Sequence, residues 1–162
     1  MPSGGSEPLG VANTTVRHHA WAQFRLVNVC CGLAGEVLGR SISGTYGSIL
    51  ATLRHLLEVD ADLAAFLLDG PRPERSSSPV LIDELVNLSL YQRATWERVL
   101  HRGLDPLRDV ETFRGRRPTG IVLAQALSHS AGHRAEVAVT LATFGVEPPD
   151  LSAWAFASAE RD

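Results

Sequence analysis

The sequence predicts an all-α protein whose helices form a four-helix bundle. Four long stretches carry apolar residues at intervals of three and four, the pattern of a helix with one buried face. Each is about 20–26 residues long, or about 30–39 Å as a helix, and helices of similar length pack most simply as a bundle. Only a few residues near 110–113 alternate as a strand does.

The first two helices are predicted over residues 14–38 and 46–68. Residues 1–13 are rich in Gly, Ser and Pro, which predicts a flexible N-terminal tail ahead of a single domain at 14–162. In the second helix Thr45 is in a position to act as N-cap, and Gly70 follows the end.

The third helix is predicted to begin at Ser78, as N-cap, and Pro79, and to run to about Leu100. A polar, arginine-rich connection at 105–118 leads to the fourth helix at 119–144. Residues 146–162 hold two prolines and the apolar side chains of Leu151, Trp154 and Phe156, which predicts a tail folded back over the bundle.

Composition excludes some partners and favours others. The net charge of -3 gives no electrostatic basis for binding nucleic acid or an anionic membrane surface. The sequence has no lysine, so all 15 basic residues are arginine, a rigid fork suited to carboxylates. If the small-molecule substrate that we expect is anionic, arginine must hold it.

The two cysteines, Cys30 and Cys31, are adjacent, and neighbours on a helix point about 100° apart and do not normally form a disulfide. This favours packing roles in a reducing compartment. The first residues have neither a basic region nor an apolar run, and no stretch is apolar over the roughly 20 residues needed to span a bilayer. We expect a cytoplasmic protein.

A pair of histidines is the main functional signal. His129 and His133 are four residues apart, one turn along the same helix face, where two imidazoles can bind one metal ion. They continue the apolar stripe of the fourth helix, so a pair of hydrogen-bonded core histidines is the alternative. His55, at the edge of the second helix's stripe, could complete a three-nitrogen site or be a partly exposed residue without a role.

Other histidines and polar residues receive weaker interpretations. His18 and His19 are expected at the surface, and His101 at a helix end, where an imidazolium interacts well with the helix dipole. The residues that could orient a ligand histidine or contact a cofactor lie near the three histidines in helical register, or carry a guanidinium for an anion: Gln125, Glu136, Glu58 and Arg25. For Gln125, Glu136 and Glu58 the alternative is a polar residue at a helix edge without such a role. Arg134 is expected to form a structural ion pair.

Several segments together resemble the DinB/YfiT-like family of metal-binding four-helix bundles. Residues 21–26 (WAQFRL) are similar to the family's aromatic-Ala-Asn-x-Arg-Leu segment, and residues 45–49 (TYGSI) to its second-helix entry, which leads to His55. Residues 128–134 (SHSAGHR) are similar to its Asn-His-x-x-His-His-Arg stretch, and residues 148–156 to its C-terminal signature. The resemblance covers roughly residues 21–156.

The resemblance implies an up-down-down-up bundle with a long connection before the last helix, and His55, His129 and His133 as metal ligands. Ser128 stands where the family has Asn, Gly132 where it has His, and Ala135-Glu136 where it has Gly-Gln. The ligand positions are kept, while the surroundings that select a substrate differ. A homodimer is a further implication.

Three neutral imidazoles suit a divalent metal such as Zn²⁺ or Ni²⁺, also Co²⁺ or Fe²⁺, and leave a coordination position open. The resemblance implies a transferase or isomerase that uses a low-molecular-weight thiol of the mycothiol or bacillithiol type. Three alternatives stay open: a metal-activated hydrolase, a non-enzymatic protein that binds metal or a small ligand during stress, and a metal-free helical dimerisation module.

Overall fold

The computed structural model describes residues 10–79 and 81–161. Residues 1–9 of the tail expected at 1–13 lie outside these residues, whereas residues 11–13 are helical. Along the described residues, six helices and two strands follow one another: α1 (Val11–Cys31), α2 (Gly35–Leu38), α3 (Ile49–Leu67), α4 (Ile82–Arg102), β1 (Asp109–Thr112), β2 (Gly115–Pro118), α5 (Thr119–Thr143) and α6 (Ala153–Ala159). None of the described helices combines the length and apolarity needed to cross a membrane.

Two apolar clusters, one at each end of the bundle, fix the direction of the four long helices. The α1 C-terminal cluster includes Leu26, Cys30, Leu53, Leu56, Leu57, Leu85, Val137 and Leu141. The α1 N-terminal cluster includes Val16, Ala20, Leu63, Leu67, Trp96, Val99, Val122 and Ala126. Since α1 and α5 run from the second cluster to the first, and α3 and α4 run the opposite way, the predicted up-down-down-up bundle is confirmed.

The connections before and after α4 are both long, and the parallel order of α3 and α4 requires the first of them. The parallel helices α3 and α4 are joined by residues 68–81, and α4 is joined to α5 by residues 103–118. The second connection contains an antiparallel hairpin in which Glu111 lies opposite Arg116. The sequence indicated only the first strand, because β2 is arginine-rich and lacks the alternation of a strand.

Helix α1 differs from the prediction at both ends. It begins at Val11 instead of Thr14 and ends at Cys31 instead of Leu38. Gly32 and Gly35 follow closely, and glycine is unfavourable inside a helix because its backbone loses the most conformational freedom. The remainder of the predicted helix therefore forms the separate turn α2.

The start of α3 is set by Ser48 and not by the predicted Thr45. The Ser48 hydroxyl accepts a hydrogen bond from the Ala51 backbone N–H at 3.2 Å, which is the usual N-cap contact. The Thr45 hydroxyl instead donates to the Ile42 carbonyl at 2.8 Å, within the preceding turn. Tyr46 consequently lies in the loop ahead of the helix.

The predicted start of the third helix at Ser78 and Pro79 is wrong. Helix α4 begins at Ile82, and its first turn is secured by the Leu81 backbone N–H, which donates to Glu84 at 3.1 Å. Arg54 of α3 holds the preceding loop by donating to the Ser78 carbonyl at 3.4 Å, so Ser78 belongs to that loop. By contrast, α5 matches its prediction to within one residue.

The C-terminal segment folds over the bundle, as expected, but only part of its apolar cluster is buried. Phe156 packs against the rings of His18 and Trp21 on α1, with centroids 5.7 and 5.6 Å away. Trp154 is 85% exposed, which corrects the expectation that it joins this cluster. A seven-residue helix presents one face inward, and Phe156 occupies it.

Candidate metal centre

The structure brings His55, His129 and His133 together halfway along the bundle. His55 lies on α3 and the other two lie one turn apart on α5, the helix that packs antiparallel to α3. One ligand nitrogen from each histidine lies within 4.8 Å of the others. Residues separated by about 75 positions in the sequence thus form one group.

The spacing of the donor atoms fits a metal ion. The Nε2 atoms of His129 and His55 are 3.2 Å apart. Two nitrogens bound tetrahedrally to one Zn²⁺ would be roughly 3.4 Å apart. His133 uses Nδ1 to donate to Glu136 at 3.0 Å, which leaves its Nε2 available as a ligand. A carboxylate on the far nitrogen is the usual support of a metal-binding histidine.

Burial keeps two of these imidazoles neutral. The pKa of His55 is lowered by burial, then by the nearby His133 and Arg75. The pKa of His129 is lowered by burial, then by His133 and His55. Since the usual value is 6.5, both rings are unprotonated at neutral pH, as metal ligands must be.

Glu136 and Tyr46 complete the immediate surroundings. Glu136 also accepts a hydrogen bond from the Tyr46 backbone N–H at 3.1 Å. Burial alone would raise the pKa of Glu136, but the hydrogen bonds from His133 and Tyr46 outweigh it and lower the pKa. The Tyr46 ring stacks on His55 at 4.2 Å. The sequence placed Tyr46 at the start of the second helix without a role, because its stacking on His55 depends on how the preceding loop folds.

Besides Glu136, three other residues were predicted to contact a cofactor or to orient a ligand histidine, and they lie in three different parts of the structure. Gln125 lines a cavity of about 510 Å³ beside His129, between α3, α5 and the hairpin. Glu58 accepts a hydrogen bond from Arg54 at 2.8 Å and lines a separate cavity. Arg25 is exposed and lies over the Trp21 ring at 5.6 Å. No described contact joins Glu58 or Arg25 directly to the three histidines.

A second polar cluster is buried inside the bundle, and it corrects the expectation that His19 lies at the surface. His19 is 1% exposed and contacts Asp60 at 2.8 Å. Gln23 and Trp96 donate to the other Asp60 oxygen at 3.1 and 2.8 Å. His18 is half-buried, with its Nε2 2.8 Å from the Leu151 carbonyl oxygen.

Arg134 belongs to this buried cluster. Its Nη1 lies 3.4 Å from His19 Nδ1, and burial lowers its pKa to about 10 while the Asp60 charge acts in the opposite direction. Arg134 therefore has a structural position in the core, but among the described residues it forms no ion pair of the expected kind, and its polar contact is with His19. Asp60 could have been found in the sequence, since it lies four residues after Leu56 and three before Leu63 on the apolar stripe of α3.

Comparison with known proteins identifies the fold. The sequence matches no protein-family model and no curated protein. Among solved structures, a DinB-like protein from Bacillus cereus superposes with a TM-score of 0.66 at 15% sequence identity. The match covers 82% of this chain and 89% of that protein. The chain therefore has a DinB-like fold. In this chain the three clustered histidines lie on the neighbouring helices α3 and α5.

Proposed function

We propose that this protein is a metal-dependent transferase or isomerase that uses a low-molecular-weight thiol, with Zn²⁺ or Ni²⁺ held by His55, His129 and His133. The observation that carries the proposal is the convergence of three histidines without a carboxylate among them. A cation bound by neutral ligands alone favours an anionic partner, and it lowers the pKa of a thiol or water that binds it.

The positions of the protein's own thiols support an external sulfur. Cys30 is buried in the α1 C-terminal cluster, and burial raises the pKa of its thiol to about 12. Cys31 donates to Asp83 at 3.3 Å, and this hydrogen bond raises the pKa of its thiol. Neither is a reactive thiolate at neutral pH. A small thiol that enters the cavity beside His129 would supply the sulfur.

The surrounding residues have simple roles in this proposal. Glu136 holds the His133 ring so that Nε2 faces the other two histidines. Tyr46 packs on His55 and limits how that ring turns. Gln125, in the cavity wall, offers an amide to the polar part of the thiol or of its reaction partner.

The first test is the metal content of tag-free protein, measured by plasma mass spectrometry. We expect about one equivalent per chain, its loss in His129→Ala, and its retention in His101→Ala, which changes an exposed histidine elsewhere. Stoichiometric metal in His129→Ala would contradict the site.

A second test concerns the reaction. The metal-loaded protein is assayed for consumption of an electrophile with and without mycothiol. Turnover that needs the thiol and disappears in His129→Ala supports the proposal. Turnover without thiol would favour the hydrolase, and bound metal without turnover would favour a binding protein.

A further inference from the structure

We propose that the cavity beside His129 binds a carboxylate-bearing compound with an apolar body, and that Arg117 and Arg114 of the β1–β2 hairpin recognise its carboxylate. The inference rests on the proposed function, because it takes this cavity as the place where a reactant meets the three histidines. It adds the chemical class of that reactant.

Strand alternation places Arg117 on the face of the hairpin that packs against the bundle, where the side chain stays exposed and lines the cavity. Successive side chains of a strand point to opposite faces, and directly opposed residues of a pair share a face. Arg117 lies opposite Val110, which is 3% exposed and packs into the α1 N-terminal cluster. Glu111 and Arg116, the next pair, therefore occupy the outer face.

The two faces of the hairpin differ in charge balance. On the outer face, Arg116 lies 3.6 Å from Glu111 and 3.8 Å from Asp109, which neutralise it. Arg117 forms its described hydrogen bond with the Arg116 carbonyl, and Arg114 lies over the Phe113 ring at 6.0 Å. Within the described part of the chain, neither has an ion pair, and no carboxylate lines this cavity. Two uncompensated guanidinium groups favour an anion.

Apolar side chains form the rest of the wall. Leu63 and Val122 are buried at its base, whereas Phe113 and Ile121 are more than half exposed. Phe113 also contacts the Phe66 ring of α3, with centroids 5.6 Å apart, which ties the hairpin to the bundle. An amphiphilic anion matches this combination, and guanidinium groups can bind a carboxylate through two parallel hydrogen bonds.

The test uses the full chain loaded with Co²⁺ and two matched pairs of probes. The first pair contains a thiol and consists of the carboxylate 3-mercaptopropanoate and the alcohol 3-mercaptopropanol. The second pair lacks a thiol and consists of the carboxylate 3-phenylpropanoate and the alcohol 3-phenylpropanol. Calorimetry measures affinity, and the cobalt absorbance reports a sulfur ligand. In at least one pair we expect the carboxylate to bind about tenfold more tightly than the alcohol. The pair that shows this preference tells whether the thiol or its reaction partner carries the carboxylate.

Two variants test whether Arg117 causes the preference for the carboxylate. Arg117→Gln should reduce it to about twofold or less, whereas Arg116→Gln, on the outer face, should retain it. Equal binding of acid and alcohol in both pairs, or equal losses in the two variants, would overturn the inference. If the preference is present but no thiol changes the cobalt spectrum, the anion site stands and the thiol-dependent function fails. If thiols change the cobalt spectrum but neither carboxylate binds more tightly than its alcohol, the thiol-dependent function stands and the anion site fails.

Discussion

His19 Nε2 lies 2.8 Å from Asp60 Oδ1 between the two apolar clusters of the bundle, and both side chains are almost completely buried. The contact joins α1 to α3, although these helices lie diagonally across the bundle. Trp96 donates from α4 to Asp60, and Arg134 approaches His19 from α5. The Asp60 carboxylate and the His19 ring thus together connect all four long helices at a single level.

This arrangement predicts that Asp60→Asn strongly destabilises the protein. The amide supplies one acceptor oxygen and places N–H donors against other donors in a buried site. We expect the free energy of unfolding to fall by about 3 kcal/mol, measured by urea denaturation. Asp109→Asn, at an exposed position of the hairpin, should change it by less than about 0.5 kcal/mol. Similar losses in the two variants would contradict the importance of the cluster.

The contact between Glu136 and His133 predicts a change in metal affinity without loss of the fold. In Glu136→Gln the carboxylate that orients His133 is replaced by an amide, and we expect metal affinity to fall about 10- to 100-fold. Competition with a chelator of known affinity measures this. Glu147→Gln, at an exposed position after α5, should bind metal like the parent. Unchanged affinity in Glu136→Gln would show that His133 needs no such support.

Metal binding also predicts a stability difference. Because the three histidines converge only in the folded chain, added Zn²⁺ should stabilise the native state, by about 2.7 kcal/mol at about 100 times its Kd. Thermal unfolding followed by circular dichroism, with and without Zn²⁺, measures the shift. His101→Ala should show the same shift and His129→Ala none. A shift that survives in His129→Ala would place the ion elsewhere.

Cys30 predicts how stability depends on pH under alkaline conditions. Burial raises the pKa of its thiol from 9.0 to about 12, so above pH 9 the folded state holds a proton that the unfolded state has lost. The free energy of unfolding therefore falls as the pH rises, and we expect this thiol to contribute a loss of about 1 kcal/mol between about pH 8 and pH 10.

Denaturant unfolding at the two pH values tests this contribution. Cys30→Ala should show a smaller decrease than the parent. Val27→Ala, in the same apolar cluster, should be destabilised equally at both pH values and keep the decrease of the parent. A decrease that is the same in Cys30→Ala and the parent would show that the buried thiol is not its source.

The sequence was sufficient for features that repeat along a helix. The stripe through Val122, Ala126, His129, His133 and Val137 predicted α5 to within one residue at its end, and it placed both histidines on one face. The sequence placed His55 on its helix but could not give the direction of its side chain, because the helix face that packs against a neighbour depends on contacts across the bundle. Only the structure therefore shows that His55 lies beside His129.

Features that depend on tertiary contacts could not be predicted in the same way. Ser48 and Thr45 are both acceptable N-caps, and hydrogen bonds in the preceding turn decide between them. The hairpin pairs residues with no alternating pattern, so Arg117 gave no signal of facing a cavity. His19 was expected at the surface because it lies near the N-terminal tail, and its buried partner, Asp60, lies 41 positions away, beyond any local pattern. The homodimer, the cytoplasmic location and the identity of the metal remain predictions.

The hairpin and the histidines belong to different parts of the chain, with a consequence for protein engineering. The histidines stand on α3 and α5, whose neighbouring side chains form the core, so most changes there also disturb packing. The arginines stand on a hairpin of two four-residue strands, of which only Val110 is inserted in the core. We therefore expect that hairpins of other sequences can be grafted between α4 and α5 if they keep Val110 and Phe113, which makes this loop a suitable segment to randomise in a library selected for new ligands.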